Sequence, residues 1–179
     1  QVSVQAKDNT AEDIAATALY NNGKIISEAD TTIHAASVAN TGTLAAAIAP
    51  SGKANDAGTL TIAAKELSNN GQLLSGKDIV VSAENIRTQN SRIAGNGDIS
   101  LVSQNALTVE NTTIQSGKDL SIEANTMPLA GNLSSGRDMN LTLHGDLSNE
   151  TAAEGFGNLH AGRNLTANLQ GSVSNQRGM

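Results

Sequence analysis

The chain has 179 residues, a formal net charge of −6, no cysteine, no Trp, one Tyr and one Phe. An acidic protein lacks the clustered Lys and Arg that hold phosphates, which argues against nucleic acid and anionic membrane as partners, and without cysteine there are neither disulfides nor cysteine-based metal sites. No apolar run reaches the roughly 18 residues of a membrane-crossing helix, and with so few aromatics the interior has to be built from repeated thin layers of Leu, Ile, Val and Ala.

Gln1 to Ala6 alternate like a strand and show no charged-then-apolar leader of the signal-peptide kind. Lys7 to Ala18 supports two readings: a short helix around Ala11 capped by Thr10, or a degenerate strand in which Ala11 to Ala16 match Thr59 to Ala64; the strand is preferred. Next, Leu19-Tyr20-Asn21-Asn22-Gly23-Lys24-Ile25 places Asn-Gly between apolar residues, a pair that tolerates positive φ and so marks a corner. The unit returns 48 residues later as Leu67-Ser68-Asn69-Asn70-Gly71-Gln72-Leu73, so it belongs to a repeat and not to an isolated hairpin.

From Asp30 a second phrase begins, in which an acidic, amide or hydroxyl residue precedes a short strand. It is clearest as Asp78-Ile79-Val80-Val81-Ser82-Ala83, and returns from Asp98, Asp119, Asp138 and Asn164. With that residue as zero, positions +1, +3 and +5 share one strand face. Position +5 is mostly small: Ala35, Ala64, Ala83, Ser103 and Ala124, then Leu143 and Leu169. Three or four residues on stands another apolar residue (Val38, Leu67, Ile86, Leu107, Met127, Leu147, Val173), and six or seven beyond it a third (Leu44, Leu73, Ile93, Ile114, Leu133). Five more reach the next phrase: 78 to 98 is 20, 98 to 119 is 21 and 119 to 138 is 19. No 3.6-residue period runs through these units. The expected fold class is therefore all-β: a parallel β-helix, or solenoid, of about 19–21 residues per coil, running through 1–179 as a single domain cut from a longer array.

Gly76-Lys77-Asp78, Gly117-Lys118-Asp119, Gly136-Arg137-Asp138 and Gly162-Arg163-Asn164 make a second corner, where Gly is expected to permit the bend and Asp or Asn to bond neighbouring backbone N–H groups. Two stretches exceed the count. Leu44 to Thr59 spans 15 residues where five are usual, so Ala45 to Asp56 leave the coil; Leu147 to Leu159 spans 12 where six are usual, so Glu150 to Gly157 form a second excursion.

Asp78, Asp98, Asp119 and Asp138 would stack about 4.8 Å apart, a ladder able in principle to hold Ca²⁺, but the preferred reading is a corner whose carboxylates bond backbone amides while Lys77, Lys118 and Arg137 offset their charge. Lys118, Arg137 and Arg163 are likewise read as a solvated corner and not a polyanion site. His34, His144 and His160 fall at different phases and cannot converge on a metal. No nucleophile elbow occurs, and the aromatic platforms of polysaccharide-cleaving β-helices are missing, so neither catalytic residues nor a metal or cofactor is assigned. The sequons at Asn111, Asn132, Asn140, Asn149 and Asn164 are taken as chance products of an Asn- and Thr-rich sequence. Loops on a rigid scaffold commonly hold recognition residues, which singles out Pro50, Lys53, Asp56, Glu154 and Phe156 as candidate partner contacts.

The run from Leu67 to Ala83, with its Asn-Gly and Gly-x-Asp corners, resembles the haemagglutinin repeat of filamentous haemagglutinin-like exoproteins, and the resemblance extends over about Ala18 to Val173. It implies a right-handed β-helical shaft, secreted to the surface of a Gram-negative cell by an outer-membrane two-partner secretion transporter, as in adhesins and contact-dependent growth inhibition effectors. It also implies a cell-surface receptor, protein or glycan, with no membrane insertion of this segment. The competing readings are a carbohydrate-active β-helix enzyme and the passenger of a single-chain autotransporter.

Overall fold

A computed structural model of the chain describes residues 4–5, 12–49, 51–149 and 157–175. It contains nineteen strands among those residues; the inner ones are hydrogen-bonded to strands about one coil earlier and one coil later, those at the two ends of the described stack to one neighbouring coil, and every strand pairing is parallel. The molecule is a parallel β-helix with three walls. Its register can be followed from rung to rung. On the first wall Ile14, Ile33, Ile62, Val81, Leu101, Ile122, Leu141 and Ala167 are successive partners. On the third, Val4, Ile25, Leu44, Leu73, Ile93, Ile114, Leu133 and Leu159 do the same. The second wall runs from Leu19 through Val38 and Leu67 to Ile86 and Leu107.

Because strand side chains alternate faces, one in two on each wall points inward, and these merge into a single cluster. Ile79, Val81, Ile99, Leu101, Leu120, Ile122, Met139 and Leu141, which share a phase in the sequence, are all fully buried in it. The ambiguous stretch resolves as strand from Glu12 to Asn21, with Glu12 opposite Thr31 and Thr31 opposite Leu60, as the match to Thr59–Ala64 requires; Lys7 to Ala11 lie outside the described residues.

The corners differ along the rod. Strands Glu12–Asn21, Thr31–Asn40 and Leu60–Asn69 run unbroken through the first and second walls. Strands Leu107–Ser116 and Met127–Ser135 instead run through the second and third. Between them lies a coil of three separate strands, Ile79–Ala83, Asn85–Gln89 and Arg92–Gly95. Here the corner turns through Asn90 in the left-handed region (φ 50°), followed one coil later by Asn111 (φ 43°).

The glycine corners correct an expectation. Among the described glycines only Gly52 has a positive φ, so neither the Asn-Gly nor the Gly-x-Asp corner needs glycine for a left-handed bend. Crowding explains them. A Cβ at Gly71 would fall inside the Gly42 carbonyl oxygen, one at Gly42 inside that of Gly23, and one at Gly136 inside that of Gly117. Successive coils touch backbone to backbone at these corners, and any side chain would hold them apart. Gly76, Gly117, Gly136 and Gly162 do occupy equivalent places, since Ser75, Gly95, Ser116, Ser135 and Ala161 just before them pair rung to rung, with Asn96 filling the one remaining place.

Candidate functional site

The first excursion begins later than the count suggested. Ala45 and Ala46 still belong to strand Thr43–Ala46 and are buried. The chain leaves the wall at Ala47, a left-handed residue (φ 55°), whose N–H donates to the Ala29 carbonyl at 2.9 Å. It then forms a small hairpin: Ile48 and Ala54 pair antiparallel, the Ala49 N–H donates to Lys53 O at 2.9 Å, and Gly52 turns the tip at φ 80° with open space around it. Asn55 clips the hairpin back to the rod. Its N–H donates to Ala47 O at 2.8 Å, its Nδ2 to Glu28 O at 3.0 Å, and its Oδ1 accepts the Ala57 N–H at 2.8 Å. Gly76 below leaves room for the Asn55 carbonyl, which any Cβ would occupy. The loop is thus an ordered shelf. Lys53 and Asp56 are exposed on it, and beside it lies an open trough of about 490 Å³ bordered by Ala54, Asn55, Asp56, Lys77 and Lys118. Of the other candidate contacts, Pro50, Glu154 and Phe156 lie outside the described residues.

The Asp column does what a corner residue is expected to do. Asp78 Oδ1 accepts the Asp98 N–H at 2.8 Å, Asp98 Oδ1 that of Asp119 at 3.0 Å, and Asp119 Oδ1 that of Asp138 at 3.1 Å. Asp30 accepts the Thr59 N–H at 2.7 Å, which restarts the column after the excursion. Each carboxylate therefore fixes the first residue of the next coil. Arg137 grips Asp119 through two bonds of 3.0 and 2.8 Å and reaches Asp98 at 3.4 Å, while Arg163 grips Asp138 at 3.1 and 2.6 Å. The backbone N–H of Asp138 is the main cause that holds the Asp119 carboxyl below the usual carboxylate range; partial burial opposes it and Arg137 adds to it. Lys77 and Lys118, by contrast, form no ion pair among the described residues, so the charge offset rests on the arginines.

The histidines stand apart. His144 approaches Glu123 at 3.4 Å on the surface, His34 is exposed on the first wall four rungs before Glu123, and His160 is exposed on the third wall. Among the described residues no group of three or more His, Asp or Glu side chains has a metal-binding arrangement.

One interior feature escaped the sequence reading. Asn21, Asn40 and Asn69 are buried and stacked: Asn21 Nδ2 donates to Asn40 Oδ1 at 2.7 Å, and Asn40 Nδ2 to Asn69 Oδ1 at 2.7 Å. Each Oδ1 also accepts the N–H of the glycine two residues on, Gly23, Gly42 or Gly71. The Asn-x-Gly spacing at 21, 40 and 69 was the available signal. The ladder stops at the next rung, where Thr88 faces Asn69 and its hydroxyl donates elsewhere, to Thr108 O at 3.2 Å. Asn69 Nδ2 is left buried without a partner.

The described residues thus show a stacked shaft with polar corner ladders and one clipped-on hairpin, and the haemagglutinin repeat matches the chain three times, over residues 1–49, 57–111 and 108–176. The chain belongs to the haemagglutinin-repeat family. It forms a β-helical shaft of the filamentous haemagglutinin-like kind. No individual curated protein and no solved structure matches it. No helix in the described residues is long and apolar enough to cross a membrane. The first match ends at the hairpin, and the second spans the coil where the corners switch.

Proposed function

We propose that this segment is the stiff shaft of a large secreted surface protein of a Gram-negative bacterium, exported by an outer-membrane two-partner secretion transporter, and that it holds distal modules away from the cell while meeting a receptor through its excursions. The observation that carries the reading is the unbroken rung-to-rung register of the first wall from Ile14 to Ala167, with the hairpin leaving the coil between strand Thr43–Ala46 of the third wall and strand Leu60–Asn69 of the first. Eight rungs at about 4.8 Å each make a rod of roughly 35 Å. Such a rod transmits position because each inner coil is bonded to the coils on both sides of it. Its rigid corner also presents Lys53 and Asp56 at a fixed height, with Pro50 on the same loop and Glu154 and Phe156 on the second excursion as further contacts.

Trimming each excursion to the regular spacing tests the proposal. The trimmed fragment keeps its β-sheet circular-dichroism signal, because the wall register does not pass through the loops, while binding of the labelled fragment to target cells falls. Undiminished binding by the double-trimmed fragment would remove the loops from the mechanism. Incubation with a polysaccharide panel separates this reading from an enzymatic one: the shaft releases no reducing sugar, and release would overturn it.

A further inference from the structure

The coils over 60–75 and 79–95 meet where two side-chain ladders, at different corners, are both broken. At the end of the second wall one register position reads Asn21, Asn40, Asn69, Thr88, Val109 and Leu129 from rung to rung. The three amides bond in series, but Asn69 Nδ2 is buried without a partner, and the Thr88 hydroxyl turns away to donate to Thr108 O at 3.2 Å. Between the third wall and the first, Asp30 Oδ1 accepts the Thr59 N–H at 2.7 Å. Thr59 has no carboxylate to pass on, no side chain among the described residues accepts the Asp78 N–H, and the linked carboxylates resume only with Asp78.

Corner bonds also change direction at this interface. The Thr41 N–H donates back to Asn21 O at 2.8 Å and the Asn70 N–H back to Asn40 O at 2.7 Å, whereas the Asn90 N–H donates ahead to Glu110 O at 3.1 Å. Side chains of the 79–95 coil do the same: the Ser91 and Thr112 hydroxyls share a bond of 3.0 Å, and Asn90 Oδ1 accepts from Asn111 Nδ2 at 2.7 Å. Among the described residues one side-chain hydrogen bond joins the two coils, Asn85 Nδ2 to Glu66 Oε1 at 2.7 Å, and it is exposed. Otherwise they are held by wall pairing, Leu60 with Ile79, Leu67 with Ile86 and Leu73 with Ile93, and by the shared core.

In a stack of repeats each coil is stabilised by itself and by its interfaces with its neighbours, so the weakest interface decides where the array parts. A buried donor without an acceptor weakens this one further. The two sides are unequal. Before the interface the ladder position holds amides, and Ile14, Leu19, Ala35 and Ala64 are only partly buried; beyond it the same position becomes Val109 and Leu129, and Met127 and Leu143 are fully buried. The later coils therefore draw the larger driving force from apolar burial.

We propose that this interface is a seam that divides the rod into two cooperative blocks. The block from strand Glu12–Asn21 to strand Gln72–Ser75 opens first, while the block from Ile79–Ala83 to Met139–Leu143 stays folded. Under denaturant or load the rod parts at one fixed place instead of fraying coil by coil. The proposal is independent of what the shaft binds and of how it is exported.

Native-state hydrogen exchange of the ¹⁵N-labelled chain, in guanidinium well below the main transition, reads the blocks directly. Wall amides of Thr31–Asn40, Thr43–Ala46, Leu60–Asn69 and Gln72–Ser75 are expected to converge on one rate, roughly tenfold or more faster than the rate shared by Ile99–Ser103, Leu107–Ser116 and Leu120–Ala124. Thr59→Asp with Thr88→Asn rebuilds both ladders and narrows this step. A disulfide across the seam, from Thr61→Cys with Val80→Cys, narrows it as well, whereas one inside the later block, from Ser100→Cys with Ser121→Cys, widens it; the crosslinks decide even where the ladder variant does not fold. A single rate for all these strands, a step at any other interface, or a step unchanged by the seam disulfide or by a folded ladder variant would each overturn the proposal.

Discussion

The first three coils and those after Ile79 build the same walls with different corners. In the first three, the corner after the second wall is held from inside by the buried Asn21–Asn40–Asn69 ladder, and glycine lets the coils touch. In the later coils that corner is bridged by the continuous strands Leu107–Ser116 and Met127–Ser135, and the side-chain order stands at the other corner, between the third wall and the first, in the Asp78 to Asp138 column and its arginines. The difference teaches that wall register is the invariant of this fold and corner chemistry is exchangeable. It also shows the cost of an exchange: where one scheme gives way to the other, Asn69 keeps a buried donor with no acceptor.

Substitutions can break the comparison at graded strength. The walls are common to both regions, so Ile33→Asp and Leu101→Asp, each placing an unpaired charge in the fully buried cluster, should both cost about 4 kcal/mol or more in denaturant titration. A large cost at one site and a small one at the other would mean that the two regions do not share a core. Asn40→Ala comes next. It removes an acceptor from Asn21 and a donor from Asn69 in the interior, and should lower stability by about 2–3 kcal/mol.

Thr88→Asn sharpens the comparison in the opposite direction. It extends the amide ladder by one rung and gives Asn69 Nδ2 an acceptor, so a gain of about 1 kcal/mol in the same titration is expected. A loss would show that the later corner has no room for the earlier scheme.

The smallest effect belongs to the outer column. The Asp119 carboxyl lies below its usual range in the folded chain, so its contribution is present above the unfolded carboxylate pKa of about 4 and is lost as pH falls through the lower folded value. Arg137→Gln should move the Asp119 titration upward, toward but not up to the unfolded value, because the Asp138 N–H remains as the main cause. Carboxyl ¹³C shifts against pH read this directly, and the change shrinks with added salt, as befits an exposed pair. An unmoved titration would assign the whole shift to the backbone.

Much of this was legible in the sequence for one physical reason: a β-helix has no freedom in its coil length, so Ile79, Ile99, Leu120 and Met139 must recur at 19 to 21 residues, and the recurrence exposes the fold. The same rigidity made Ala45–Asp56 visible as surplus, although not its first residue, because Ala45 and Ala46 are as apolar inside the wall as they would be beyond it. The role of the glycines was not legible. A glycine forced by a neighbouring coil and one forced by its own φ look alike in sequence, and only the stacked backbones tell Gly71 from Gly52. The buried amide ladder was hidden because Asn21, Asn40 and Asn69 sit at a corner where exposed asparagines are common, and nothing local announces that these point inward. For the candidate contact site the sequence supplied loop length alone; the clip through Asn55 depends on Glu28, 27 residues away in the chain.

The central claim is the register of the stacked coils, and the absence of cysteine makes it directly measurable. Ser121 and Asn140 are exposed partners on adjacent rungs of the first wall, whereas Ser121 and Thr142 are one residue pair out of register. Neighbouring strands lie about 4.8 Å apart, inside the span of a disulfide, and a diagonal two residues off lies beyond its limit of about 7 Å. The account predicts that the Ser121→Cys, Asn140→Cys variant crosslinks rapidly within the monomer under mild oxidation and that Ser121→Cys, Thr142→Cys does not; equal or faster crosslinking of the second variant would contradict it.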